Sequence, residues 1–142
     1  MVAYGTFGVK RIAGWTTLLD AVCLDDAPTF YNSAALDVTG YGMVALLVSI
    51  DSTLAPTDIR LLAQFSDDGG TTWWDFEEGL WASLYWEDTA TATVIYKAFV
   101  LPVAGFDDVR IRAVATGTDA NNYFDVTVKA RPFTGAYMGA HA

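Results

Sequence analysis

The chain has 142 residues, 53% hydrophobic and 14% aromatic, and its 17 acidic against 8 basic residues leave a formal charge of −9 at pH 7. A domain of this length buries roughly two-thirds of its unfolded surface, so one core forms without disulfide or metal staples. The acidity weighs against nucleic acid and anionic membrane surfaces as partners. Cys23 is the one cysteine, which leaves no internal disulfide and no thiolate metal site, and the one histidine, His141, is the penultimate residue, a poor position for a general base.

Taken in chain order, residues 1–14 read as an N-terminal arm: Gly5, Gly8 and Gly14 are mixed with Tyr4, Phe7 and the basic pair Lys10 and Arg11. Glycine-rich segments with aromatic anchors suit arms that order against a neighbouring subunit. The basic pair follows rather than precedes an apolar run, and no apolar stretch approaches ~18 residues, so neither a signal peptide nor a membrane-spanning helix is expected. Synthesis in a reducing cytoplasm fits these features.

Residues 15–133 read as one β-sandwich domain. Two-residue alternation of apolar and polar side chains recurs between turn signals, and no segment has the period of a long amphipathic helix. About eight strands are predicted, over Thr29–Val38, Met43–Ile50, Ile59–Ser66, Thr72–Phe76, Leu80–Trp86, Thr91–Leu101, Asp107–Thr116 and Tyr123–Arg131. Met43–Ile50 is apolar at nearly every position, as in a central strand buried on both faces, or on one face with the other in a subunit contact. Residues 94–100 likewise carry apolar side chains on the face that should be wet. Phe124, Val126, Val128 and Ala130 alternate with Asp125, Thr127 and Lys129, and Val109–Ala113 repeats the rule with Arg110 and Arg112 outward. The intervening Gly117–Asn122 turn predicts that these last two strands pair as an antiparallel hairpin. This strand count favours an all-β, antiparallel two-sheet sandwich of jelly-roll type over the immunoglobulin type, whose Cys…Trp…Cys spacing is absent. Residues 134–142, TGAYMGAHA, form a small, apolar C-terminal tail.

The sharpest local motif is Ser66-Asp67-Asp68-Gly69-Gly70-Thr71-Thr72-Trp73. It predicts a turn between two strands in which Asp68 accepts backbone N–H bonds from the Ser66–Thr72 loop, Gly69 and Gly70 supply positive φ, and Trp73 anchors the second strand. The order resembles the Asp-box of sialidase propellers, but those carry several copies, and the single copy here is no argument for glycosidase activity. Next, Trp73–Asp88 holds four of the five tryptophans and five of the seventeen acids, and no basic residue stands between Arg60 and Lys97. This is the candidate functional surface. Ring faces with carboxylates can bind sugars, and a carboxylate pair across a cleft can hydrolyse glycosides, but nothing in the sequence marks a cleft. The favoured reading places Trp74, Trp81, Tyr85 and Trp86, with Tyr4, Phe7, Lys10 and Arg11 of the arm, in subunit or partner interfaces, where aromatics and Arg are enriched. Adjacent acid pairs point to opposite faces of a strand and lack EF-hand spacing, so no metal or cofactor is expected. Phosphate-loop and nucleophile-elbow motifs are also missing.

Four stretches together resemble small β-sandwich virion structural proteins of tailed bacteriophages, of the capsid decoration (cement) type. They are Asp37-Val38-Thr39-Gly40-Tyr41, Gln64 through Asp75, Asp108 through Ala115 and Tyr123 through Arg131. The resemblance implies a non-enzymatic, oligomeric protein, often a trimer, bound to the outside of a capsid. Its implied partners are itself and the major capsid protein. The alternative is a tail, baseplate or carbohydrate-binding module that recognises host glycans.

Overall fold

The computed structural model describes residues 11–25, 30–53, 58–76, 86–87 and 93–134. These form ten strands and no helix: β1 Thr16–Leu24, β2 Phe30–Asn32, β3 Leu36–Asp37, β4 Met43–Thr53, β5 Asp58–Ser66, β6 Trp74–Asp75, β7 Trp86–Glu87, β8 Thr93–Pro102, β9 Asp108–Thr116 and β10 Tyr123–Phe133. One sheet has the order β1-β10-β4-β8. The other has the order β2-β9-β5-β6, with β3 also on β9 and β7 also on β5. Every pairing is antiparallel.

The connectivity is a rolled ribbon. The first strand pairs with the last, β2 and β3 pair with β9, β4 pairs with β8, and β5 pairs with β6 and β7. Rolling this nested ribbon brings β10 beside β4 and β9 beside β5, which closes the two sheets. That is the jelly-roll arrangement. Between the sheets, Val44, Leu46, Val48 and Ile50 of β4 meet alternate residues of the other long strands. Phe124, Val126 and Val128 belong to β10, Ile59, Leu61 and Phe65 to β5, and Val109 and Ile111 to β9.

The predicted hairpin between the last two strands does not form. β9 lies in one sheet between β2 and β5, and β10 lies in the other between β1 and β4. Both strands offer an apolar row, and the rows face each other across the core instead of lying side by side. The Gly117–Asn122 turn therefore spans the sheets. The Asp119 Oδ1 atom accepts the Asn121 and Asn122 amides, both at 2.8 Å, which holds the crossing.

Strand β1 was not predicted. Its pairing with β10 is interrupted between Thr17 and Leu19 and again between Leu19 and Val22, and Ala21 has φ of 47°. Those irregularities put adjacent Leu18 and Leu19 both in the core and erase the two-residue period. The predicted strand Thr29–Val38 is instead split at Ser33, whose buried Oγ accepts the Ile111 amide at 2.9 Å and so replaces a backbone carbonyl. The predicted strand Leu80–Trp86 lies outside the described residues except for Trp86. Arg11 and Ala13 of the predicted arm hydrogen-bond to the end of β10 through Thr134 and Pro132.

One end of the sandwich gathers three turns. Val38 donates to the Asp107 carbonyl, Asp107 to that of Ser66, Val103 to that of Gly42, and Gly42 to that of Phe133. Residues 11 and 134 meet at this same end. Among the described residues β8 is the last strand of its sheet, and it is guarded: Lys97 stands opposite Val48, at a position whose parity points inward, yet is itself exposed. A charge at such a position discourages a second sheet from adding on.

Candidate functional site

The turn from β5 to β6 is built around two side chains. Ser66, fully buried, donates its hydroxyl to Asp68 Oδ1 at 2.8 Å and accepts the Gly70 amide at 2.9 Å. The same Asp68 oxygen accepts the amides of Thr71 and Thr72 at 3.0 and 2.9 Å. These donors, the Thr72 amide first and the Ser66 hydroxyl next, pull the Asp68 carboxyl down to about 2. Gly69 and Gly70 have φ of 74° and 91°, and a side chain on Gly70 would meet the Trp73 ring at 3.4 Å. The candidate turn residues Ser66, Asp68, Gly69, Gly70, Thr72 and Trp73 thus stand together in one hairpin, where Gln64 pairs with Asp75 and Phe65 with Trp74.

From Trp73 the contacts continue across the outer face of this sheet. The Arg110 guanidinium lies 4.3 Å from the centre of the Trp73 ring, and its Nε donates to Gln64 Oε1 at 2.8 Å. Gln64 in turn donates through Nε2 to Asp75 Oδ1 at 2.7 Å. Two residues along β9, Arg112 repeats the device, 4.5 Å from the Phe30 ring with Nε donating to Asn32 Oδ1 at 2.8 Å. Both arginines are thus held by neutral amides and flat rings. Burial, then the nearby Arg112 charge, lowers the Arg110 pKa. The outward arginines are plain from the alternation of β9, but their partners are 46 and 80 residues away, so no local signal revealed the set.

On the opposite sheet, the outer face of β4 and β8 is apolar where water should be. Tyr96 is 78% exposed, Val100 51% and Val94 46%, and Leu47 is also exposed beside them. A concavity of about 510 Å³ lies among Leu47, Ser49, Tyr96, Ala98, Thr127 and Lys129.

Of the candidate interface residues, Trp74 is 62% exposed on β6. Arg11 lies 4.7 Å from the centre of the Tyr41 ring at the end where residues 11 and 134 meet. Trp86 pairs with Ile59 through β7. Tyr4, Phe7, Lys10, Trp81 and Tyr85 lie outside the described residues. Among the described residues no group of three His, Cys, Asp or Glu could hold a metal ion.

No protein-family model matches the sequence, and no curated protein matches it. Solved structures do match in fold. The structure of infectious bursal disease virus Gx strain superposes with a TM-score of 0.50 at 9% identity, over 90% of this chain and 34% of that one. The VP2 subviral particle of the same virus gives 0.50 at 12% identity, over 94% and 35%. This chain therefore spans about a third of these two virus chains. The SPBc2 prophage-derived protein YomS covers 88% of this chain and 95% of its own, at 15% identity and a lower TM-score of 0.44. At these identities the shared property is the two-sheet fold.

Proposed function

We propose that this chain is a non-enzymatic virion structural protein, a capsid decoration (cement) protein made in the host cytoplasm. In this reading it assembles as a homotrimer and grips the outside of a shell of major capsid protein through aromatic contacts and its terminal arms. The observation that carries the reading is the exposed apolar surface on the outer face of β8, where Tyr96, Val100 and Val94 stand. A monomer of this size rarely leaves such a contiguous patch to water unless something binds it. The resemblance of the Asp37–Tyr41, Gln64–Asp75, Asp108–Ala115 and Tyr123–Arg131 stretches to phage decoration proteins supports a capsid as the partner.

Light scattering behind a sizing column tests the oligomer, and a discrete trimer is expected. Deleting Val2–Lys10 tests the arm: attachment to particles should be lost while the thermal midpoint of the free domain holds. The deletion stops short of Arg11 because Arg11 is bonded to Thr134. A monomer whose tryptophan fluorescence is quenched by host glycans would replace this reading with that of a tail, baseplate or carbohydrate-binding module.

A further inference from the structure

The outward residues of β10, β4 and β8 fall into cross-strand rows. Asp125 and Asp51 share one row, which ends on Val94. The next row is Thr127, Ser49 and Tyr96, and the one after it Lys129, Leu47 and Ala98. Arg131, Ala45 and Val100 make the fourth. Acids therefore stand at one end of this face, bases at the other, and an exposed apolar stretch lies between and beside them. Along these three strands the outward charged residues are Asp51, Asp125, Lys129 and Arg131, which balance in sign. At the flanks Asp20 is exposed at the β1 irregularity, and Lys97 has inward parity. Although the chain carries −9 overall, charges more than about 8 Å away are largely screened at physiological ionic strength, so the local pattern decides contact here.

We propose that this face stacks on the same face of a second copy, about a two-fold axis that runs across the strands between the Ser49 and Leu47 rows. Such an axis inverts the order of the rows, so the acidic end of each copy lies over the basic end of the other, with Asp125 over Arg131 and Asp51 near Lys129. Val94 then meets Val100, and the large Tyr96 meets the small Ala98. The concavity of about 510 Å³ among Leu47, Ser49, Tyr96, Ala98, Thr127 and Lys129 sits on this axis, where each copy's Tyr96 ring is received by the other. An axis along the strands would set acid on acid, and a uniformly acidic or basic partner would meet like charge at one end, so the pattern selects a second copy. Four rows across three strands cover about 400 Å² per copy, the size of a weak contact. Dilute oligomers thus stay apart, and pairing appears when copies are crowded, as on a particle. The inference rests on the reading that the β8 patch is covered in the assembly. It adds a link between oligomers and is separate from the contact that builds the trimer.

The test is sedimentation equilibrium of the full-length chain from micromolar to millimolar concentration, at low and high salt. The mass of the dilute species is expected to double as concentration rises, and to do so less readily in high salt. Asp51→Lys and Lys129→Asp should each weaken the doubling at least about tenfold, although Asp51→Lys reduces the overall negative charge and so the general repulsion between copies. Both side chains are exposed, and a thermal midpoint no lower than that of wild type would establish that Asp51→Lys is folded. Mixing the two variants, or placing both substitutions in one chain, should restore pairing, because each reversed charge then meets its opposite. Absence of doubling, single variants that pair like wild type, or a mixture that does not recover would each overturn the proposal. So would a wild type that never doubles while Tyr96→Asp loses particle attachment, which would give the face to the capsid protein and leave the virion reading intact. A dilute species other than a trimer bears on the virion reading alone, since the doubling is read relative to whatever that species is.

Discussion

Arg110 and Trp73 are stacked at 4.3 Å although one lies on β9 and the other at the tip of the β5–β6 hairpin. The contact ties the turn to the sheet, because Arg110 also bonds Gln64 and Gln64 bonds Asp75. Trp73→Ala should lower stability by several kcal/mol at most and by about 1 kcal/mol at least, through lost stacking and lost apolar contact. Chemical denaturation measures this, and Arg110→Ala should shift Trp73 emission to the red.

The Asp68 turn should show a distinct acid sensitivity. Its folded pKa lies below the ordinary carboxylate value, so its contribution is fully present above that value and is lost as pH falls toward about 2. Asp68→Asn removes that dependence. The gap in thermal midpoint between wild type and variant should therefore be constant from neutral pH to about pH 5 and close below it. A gap that persists at the lowest pH would show that the amide loses something other than charge.

Gly69 and Gly70 separate backbone strain from packing. Both have positive φ, but a Cβ on Gly69 meets nothing within 4 Å whereas one on Gly70 meets Trp73 at 3.4 Å. Each Ala substitution should cost about 1 kcal/mol for the left-handed backbone. In urea unfolding the two variants should differ from each other by less than either differs from wild type, because 3.4 Å from the Trp73 ring is ordinary van der Waals contact.

Asp125 and Asp51 sit opposite each other on β10 and β4. Burial first, then the Asp51 charge, raises the Asp125 pKa, and a thiol bond from Cys23 partly offsets them. A raised carboxylate pKa destabilises the fold above that pKa, and the penalty fades as pH falls through it. Asp51→Asn should thus stabilise the protein by about 0.5 kcal/mol at neutral pH and lose that gain in acid, as read by thermal melts at both.

Lys97 guards β8, the last strand of its sheet among the described residues. Lys97→Val would complete an apolar row on edge strand β8 opposite Val48. Increased self-association is expected, measured as a rise in light scattering on incubation, with Lys97→Arg behaving as wild type.

The apolar and polar alternation by itself determined the all-β class, the two-sheet sandwich and most of the long strands, because side-chain period and turn chemistry are local properties. The Ser66–Trp73 hairpin was legible for the same reason: Asp68, Gly69, Gly70 and Ser66 act on backbone atoms within four residues of themselves. Only the tertiary structure decided which strand pairs with which. Antiparallel partners are chosen by how buried rows oppose one another across the core, so the last two strands, adjacent in sequence, lie in different sheets. Tertiary context also made β1 a strand, since its bulges abolish the period while the ladder with β10 supplies its hydrogen bonds. The arginine face is the extreme case: Arg112 acquires its geometry from Asn32 and Phe30, residues remote in the chain that only the rolled ribbon brings beside it.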